Sequence, residues 1–255
     1  NSEIVDLKIL YVELNSTIYY NPAQVASSAN LRTSIVSSLS QYANNVEINK
    51  FGGRFKYSKL NTLIDRVDNG ITSNITKVII RRDMKALLNQ FAQYELCFGN
   101  KFNINPAGYN IKSTGFTIEG FTETAYITDV PNKNLSGNLD GSNMGTLSVI
   151  SKNNRNEQRV IVKDAGVVDY MKGEVILNTI NFTSTVRQNN IIEVQAFPES
   201  NDVVGLKDLY LNFDVSSSKI NTVTDVIASG EDVSGVVFTR DYYTSSYSNG
   251  DLERK

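Results

Sequence analysis

The chain contains no histidine. That removes the side chain most used for proton transfer near neutral pH and the commonest metal ligand. Triads and dyads built on His are excluded, as are His-containing zinc sites. There is a single cysteine, Cys97, so an internal disulfide or a multi-cysteine metal site cannot form. A nucleophilic thiol needs a neighbouring base to hold it as thiolate. Without one, Cys97 reads as a small buried hydrophobe. Long apolar runs are also missing, and none approaches the roughly 20 residues that carry a helix across a bilayer. Runs of five like charges are absent as well. The 25 basic residues are scattered among 27 acidic ones, for a net charge of −2. Nucleic-acid binders gather Lys and Arg on one face or stripe, so this pattern argues against such a partner. These absences leave an enzyme, a metal site and a cofactor site without their usual materials.

What is present is a foldable chain. Of its 255 residues 40% are hydrophobic and 20% charged, enough to bury a sizeable core. The start, Asn1-Ser2-Glu3-Ile4, is neither a signal peptide nor an initiator, and a strand pattern begins at Ile4. The expectation is a piece of a longer polypeptide. Residues 4–20 read as extended. Val5, Leu7, Ile9 and Tyr11 alternate, then Leu10, Val12, Leu14, Ile18 and Tyr20 take the opposite parity, which predicts a bulge or twist near the middle. Asn21-Pro22 looks like a helix start. Residues 23–43 carry Leu31, Ile35, Leu39 and Tyr42 at helical spacing. After the break at Phe51-Gly52-Gly53, a second helix is predicted over 54–68, with Phe55, Leu60, Leu63, Ile64 and Val67 inward and Asn69-Gly70 as its stop. Strands follow near 75–83 and 91–98.

Near Lys101 the helical period ends. Short apolar runs separated by turn residues take over: 116–118, 125–130, 146–151 and 159–163. Val167 to Tyr170, then Met171-Lys172-Gly173, then Glu174 to Ile180 reads as a β-hairpin with Gly at the turn. Ile191 to Phe197 is one more strand. Leu209, Leu211 and Phe213 share a strand face, and 233–240 carries a further strand pattern. The fold class expected is α+β: an N-terminal domain over 1–100 with two helices on a small mixed or antiparallel sheet, an all-β domain over 101–198, and an extended β or irregular segment over 199–255.

Carboxylate pairs can hydrolyse glycosides without histidine. The candidates are Asp164, Asp169, Glu174, Glu193, Asp202, Asp208 and Asp214. Asp169 and Glu174 flank a hairpin turn, where acids sit for solvation, and no catalytic pair stands out. Gly137 to Asn143 has the look of a calcium loop but lacks its ligand spacing and distal Glu, so a loop is the reading. Gly52-Gly53 before a helix lacks any phosphate-loop pattern. Arg81, Arg82 and Lys85 form a compact basic patch, read as a solvated strand end. Neither catalytic, cofactor nor metal residues are assigned. Phe238, Tyr242, Tyr243 and Tyr247 lie in polar sequence with no visible core to join, and they are the candidate interface residues.

Several blocks, taken in order, resemble the C-terminal part of a baseplate wedge protein, the gene product six family of T-even-type contractile-tailed phages. They are the strand into helix from Leu7 to Tyr42, the Phe51 to Leu60 block, Ile71 to Ile75 with Arg82-Asp83-Met84, the hairpin from Val167 to Leu177, and Asn201 to Asp214. The resemblance is weak over 101–160 and absent from the last fifteen residues. It implies a structural virion protein that dimerises and joins a ring around the tail baseplate, with other baseplate wedge proteins as partners. It also implies location in the virion tail baseplate after assembly in the host cytoplasm. The alternative from another class is a host-surface or carbohydrate-binding module of a tail or adhesin protein, favoured by the β-rich texture and the 13 Tyr.

Overall fold

A computed structural model describes residues 8–44, 48–152 and 158–226. Alternating apolar positions give a long first strand, β1 (Ile9–Tyr20), followed by helix α1 (Ser28–Ala43), β2 (Arg54–Phe55), helix α2 (Tyr57–Asp65), β3 (Ile71–Lys85) and β4 (Ala92–Cys97). Short strands β5 (Lys112–Ser113) and β6 (Phe116–Ile118) lead into three long ones: β7 (Phe121–Pro131), β8 (Met144–Lys152) and β9 (Gln158–Asp169). Then come β10 (Glu174–Ile180), β11 (Phe182–Thr185), β12 (Ile191–Ala196), β13 (Val203–Val204), β14 (Tyr210–Phe213) and β15 (Lys219–Thr224).

The protein is mostly β. Thirteen strands join one mixed sheet in the order β14-β1-β3-β12-β5-β7-β8-β9-β10-β4. β15 extends along β1 beyond β14, and β6 and β11 branch from β7. β14 and β15 lie parallel to β1, whereas β3 is antiparallel to it. The two helices cover one face, α1 against β15 and α2 against β3. One continuous apolar core runs from Leu10 to Ile220. The sheet curls until its two ends approach. Glu95 and Cys97 of β4 share a cleft of about 150 Å³ with Lys8, Leu206 and Leu209 beside β14. Asn100 clips this seam, its amide donating to Val204 O at 2.9 Å while its oxygen accepts from Val204 N at 3.0 Å.

Several expectations need correction. The two helices exist, but their sheet is neither small nor separate, because the partners of β1 and β3 come from residues 191–224. Period-2 patterning tells which face a residue takes, not which strand it joins. β3 and β4, consecutive in the chain, are not paired; β4 pairs with β10 at the far end. α1 starts at Ser28, with Ser27 Oγ accepting from Asn30 N at 3.3 Å. Asn21-Pro22 instead makes a turn, in which Asn21 O accepts from Gln24 N and Val25 N and its side chain accepts from Ala23 N. Proline's fixed φ suits that turn as well as a helix start. α2 is shorter than predicted because Arg54 and Phe55 pair with β13. Phe55, Leu60 and Ile64 are buried, while Leu63 and Val67 only flank the core. β1 keeps one core face throughout, Leu10, Val12, Leu14, Ser16 and Ile18. Its irregularity against β3 falls at Tyr19/Tyr20. In the α1 stripe Leu31, Ile35 and Leu39 are buried as expected, but Ala43 takes the fourth buried place and Tyr42 only flanks the core; the larger buried side chains contribute roughly 1.5–3 kcal/mol each.

The β9–β10 hairpin forms where the sequence placed it, Glu174 opposite Asp169. Asp169 Oδ1 accepts from the N–H groups of Met171 and Lys172, each at 3.0 Å, and so caps the turn. The adjoining Tyr170 is buried and donates its hydroxyl to Asp129 Oδ2 at 2.6 Å; Asp129 Oδ1 also accepts from Ile111 N at 2.6 Å. Burial pushes the Asp129 carboxyl up, while these donors oppose the rise. Burial, then the Asp129 charge, pushes the Tyr170 phenol up, so it stays a donor. Gly173 closes the turn at φ +69°, and a Cβ there would stand 2.0 Å from Asn100 O. Left-handed backbone alone costs a non-Gly residue roughly 1–2 kcal/mol. Gly173→Ala is therefore expected to destabilise by more than about 2 kcal/mol, because the carbonyl must also move. Denaturant unfolding measures it; an unchanged midpoint would show that the turn and seam can shift freely.

Candidate functional site

β3 places its residues on alternate faces. Val78, Ile80, Arg82 and Met84 face the core; Ile79, Arg81 and Asp83 face the other way. The ladder sets Tyr11 opposite Arg81 from one side and Gln195 opposite it from the other. Arg81 is 6% exposed and its guanidinium lies 4.1 Å above the Tyr11 ring. It donates to Glu13 Oε1, to Asp83 Oδ1 at 3.0 Å and to Ser217 Oγ at 3.3 Å, and lies 3.4 Å from Asp214 Oδ2. Gln195 holds the other Glu13 oxygen at 2.8 Å, and Glu193 pairs with Arg187 at 2.9 Å. A polar cavity of about 410 Å³ opens beside these groups, between Glu13, Arg81, Arg187, Glu193 and Lys219.

Burial raises Glu13 and Asp83 above the ordinary carboxylate range, although Arg81 pulls both back down. Burial also lowers the Arg81 pKa, but Asp83 and Glu13 outweigh it and leave the guanidinium above its ordinary value. Asp214 is the opposite case. Burial raises it, yet hydrogen bonds from Ser216 and Ser217 win and hold it low. A carboxylate locked on a guanidinium is poorly placed to trade protons. The arrangement ties β1, β3 and the loop after β14 together.

The sequence candidates scatter. Asp169 caps a turn, Asp202 Oδ1 accepts from Tyr57 N at 2.8 Å at the start of α2, and Asp208 lines the seam cleft. Glu174 lies 3.8 Å from Lys172 Nζ, and Asp164 sits at φ +60° where β9 loses register with β8. Glu193 and Asp214 come together around Arg81, and Asp169 and Glu174 face each other across the hairpin with Lys172 between them. Glu13 and Asp83 were missed. Their signal was a carboxylate within strand alternation opposite arginine, which needs the strand pairing to be seen. Gly137 to Asn143 closes the β7–β8 hairpin, with Asp140 Oδ1 accepting from Ser142 N and Oγ. Among the described residues, no group of three His, Cys, Asp or Glu could hold a metal.

The basic patch at Arg81-Arg82-Lys85 is a correction. Both arginines are buried, and only Lys85 is exposed. Consecutive strand residues point to opposite faces, so Arg82 enters the core side and donates to Cys97 O at 2.6 Å across the seam. Its Nε has no partner, and burial lowers its pKa. Cys97 is a half-buried free thiol. Phe238, Tyr242, Tyr243 and Tyr247 lie outside the described residues. One apolar cleft of about 570 Å³ is open between Phe91, Ile118, Phe121 and Ile180.

The buried charges around Arg81 hold strands of the mixed sheet together. Residues 8–83 match the family described as baseplate structural protein gp6, C-terminal domain III, under a third of the chain. The match makes that stretch similar to a domain of a phage baseplate structural protein. No curated relative matches the chain.

Removing Arg81 leaves the buried Glu13 and the half-buried Asp83 without their cation. Arg81→Met is expected to cost about 3–5 kcal/mol at neutral pH. A carboxyl whose folded pKa is raised contributes stability that is complete below its unfolded pKa and lost as pH rises through the folded one. Without Arg81 both acids rise further, so the deficit should shrink as pH falls toward their ordinary values of 4.5 and 3.8. Urea unfolding of both proteins across the acid range measures this. A deficit that grows on acidification would contradict it.

Proposed function

We propose that this chain is a baseplate wedge subunit that self-associates as a homodimer and helps form the ring around the phage tail baseplate. The observation that carries the reading is the family match over residues 8–83, which supports a role as a baseplate structural component. A component of that kind must hold its neighbours by contact alone. Closed assemblies commonly do so through two-fold contacts in which one patch meets itself. A durable contact buries on the order of 1,600 Å² with an apolar centre. Material for such a contact exists in Phe238, Tyr242, Tyr243 and Tyr247, since Tyr and Phe are enriched at interfaces. The cleft at Phe91 and Phe121 offers a second exposed apolar area, Phe91 being 69% exposed.

Sedimentation of the full chain at tens of micromolar is expected to show a dimer. Truncation after Val226, which removes all four aromatic candidates, should weaken dimerisation by at least about tenfold, corresponding to loss of one or two buried anchors. The melting temperature of the remaining fold should be nearly unchanged. A strictly monomeric full chain would refute self-association. A truncated chain that dimerises as well as the full one would move the contact elsewhere.

A further inference from the structure

The apolar cleft of about 570 Å³ beside Phe91 opens where two strands part. β9 and β10 pair only from Asp169 to Gly166, against Glu174 to Leu177. Below that point β9 bulges. Its four residue steps from Gly166 to Val162 face only two steps of β8, from Leu147 to Val149, and Asp164 takes up the excess at φ +60°. β10 stays with β4 and meets Ala92 at Ile180. The gap between the parted strands is lined by the buried Ile118, Ala165 and Ile180 and rimmed by Phe91 and Phe121, 69% and 39% exposed.

The side-chain amides along the cleft are already donating. Asn178 Nδ2 bonds Asp164 O at 3.0 Å and Asn181 Nδ2 bonds Glu119 Oε2 at 2.8 Å, while Asn181 Oδ1 is buried without a partner. A sugar would therefore set its hydroxyls against apolar walls, at a cost in lost hydration. A hydrocarbon side chain suits the walls, and it would take two exposed Phe rings out of water. Residues 227–255 lie outside the described residues, and their longest apolar run is Val236-Val237-Phe238. Phe238 has no hydroxyl to strand, unlike Tyr242, Tyr243 and Tyr247.

The fold also says whose Phe238 would arrive. Asp225 N donates to Tyr20 O at 2.8 Å, so the described chain ends beside Ile71, the start of β3. The cleft lies beyond the other end of β3, because Phe91 follows Lys85 and Asn89 N donates to Phe182 O. The fourteen residue steps from Ile71 to Lys85 span roughly 45 Å at the rise of a strand. Twelve residues separate Val226 from Phe238, a reach of about 40 Å at full stretch, before any detour around the molecule. Its own cleft is out of range.

We propose that the cleft between β9 and β10 receives the Val236-Val237-Phe238 run of a second copy of this chain, with the Phe238 ring between Phe91 and Phe121. The inference rests on the homodimer reading and names the contact that makes it. Exchanged reciprocally across a two-fold axis, the run fills two clefts per dimer and closes the assembly.

The test uses the full chain with benzoylphenylalanine in place of Phe91, mixed from batches grown in light and heavy nitrogen and then irradiated. Crosslinks from position 91 to residues 236–240 are expected, with light-to-heavy pairs among them. Phe238→Ala and the exposed Phe91→Ser should each weaken dimerisation by at least about tenfold in sedimentation, and together no more than either alone. Crosslinks confined to pairs of one isotope would overturn the proposal, as would crosslinks to another part of the chain or none at all. A dimer that both substitutions leave intact would refute this contact and spare the homodimer. A full chain that never dimerises would refute both.

Discussion

The backbone ladder along β3 is the constraint on which the rest of the structure depends. It pairs with β1 on one edge and with β12 on the other, overlapping at Ile80 and Arg81. A strand that is bonded on both edges has its register fixed twice. A slip of one residue would exchange its faces. Val78, Ile80 and Met84 would leave the core, and Arg81 would enter it without its acids. The helices, the seam and the charge cluster are all arranged around that single choice of register.

The adjacent arginines show what the choice of face costs and gives. On the outer face Arg81 meets Glu13, Asp83, Asp214 and an aromatic ring, so its charge is compensated from three parts of the chain. On the inner face Arg82 has one carbonyl acceptor and an unpartnered Nε. Burying charge is costly unless it is paired, and a broken pair costs more than the pair contributes. The first arginine therefore specifies which strands lie together. The second holds the curled sheet near its seam at some electrostatic expense. Both are stabilising only in the correct register, which makes them marks of specificity as much as of strength.

Local pattern was legible and long-range pairing was not. Leu31, Ile35 and Leu39 announced α1 through their spacing, and Gly173 announced the β9–β10 turn. Most short strands lay where apolar runs stood between turn residues. Helix ends were misplaced wherever a proline or a β-pairing suited two conformations, as at Pro22 and Phe55. The large sheet was hidden because β14, β15 and β12 reach back across most of the chain to β1 and β3. The buried arginines were hidden for the same reason. A strand written Arg-Arg-Asp looks solvated until its neighbours supply carboxylates and a carbonyl. Block order along the chain, by contrast, carried the family resemblance without any knowledge of pairing.

The parallel pairing of β1 with β14 and β15 has a consequence in time. Those strands end at Thr224, so the outer edge of β1 has no partner until more than two hundred residues have been synthesised. At translation rates of about 5–20 residues per second, that wait after β3 emerges is on the order of ten seconds. Throughout it an apolar strand pair presents bare backbone, the condition under which nascent chains pair with one another. β1 and β3 thus precede the strands that complete their sheet, and until β14 and β15 arrive the open edge of β1 can pair with another chain.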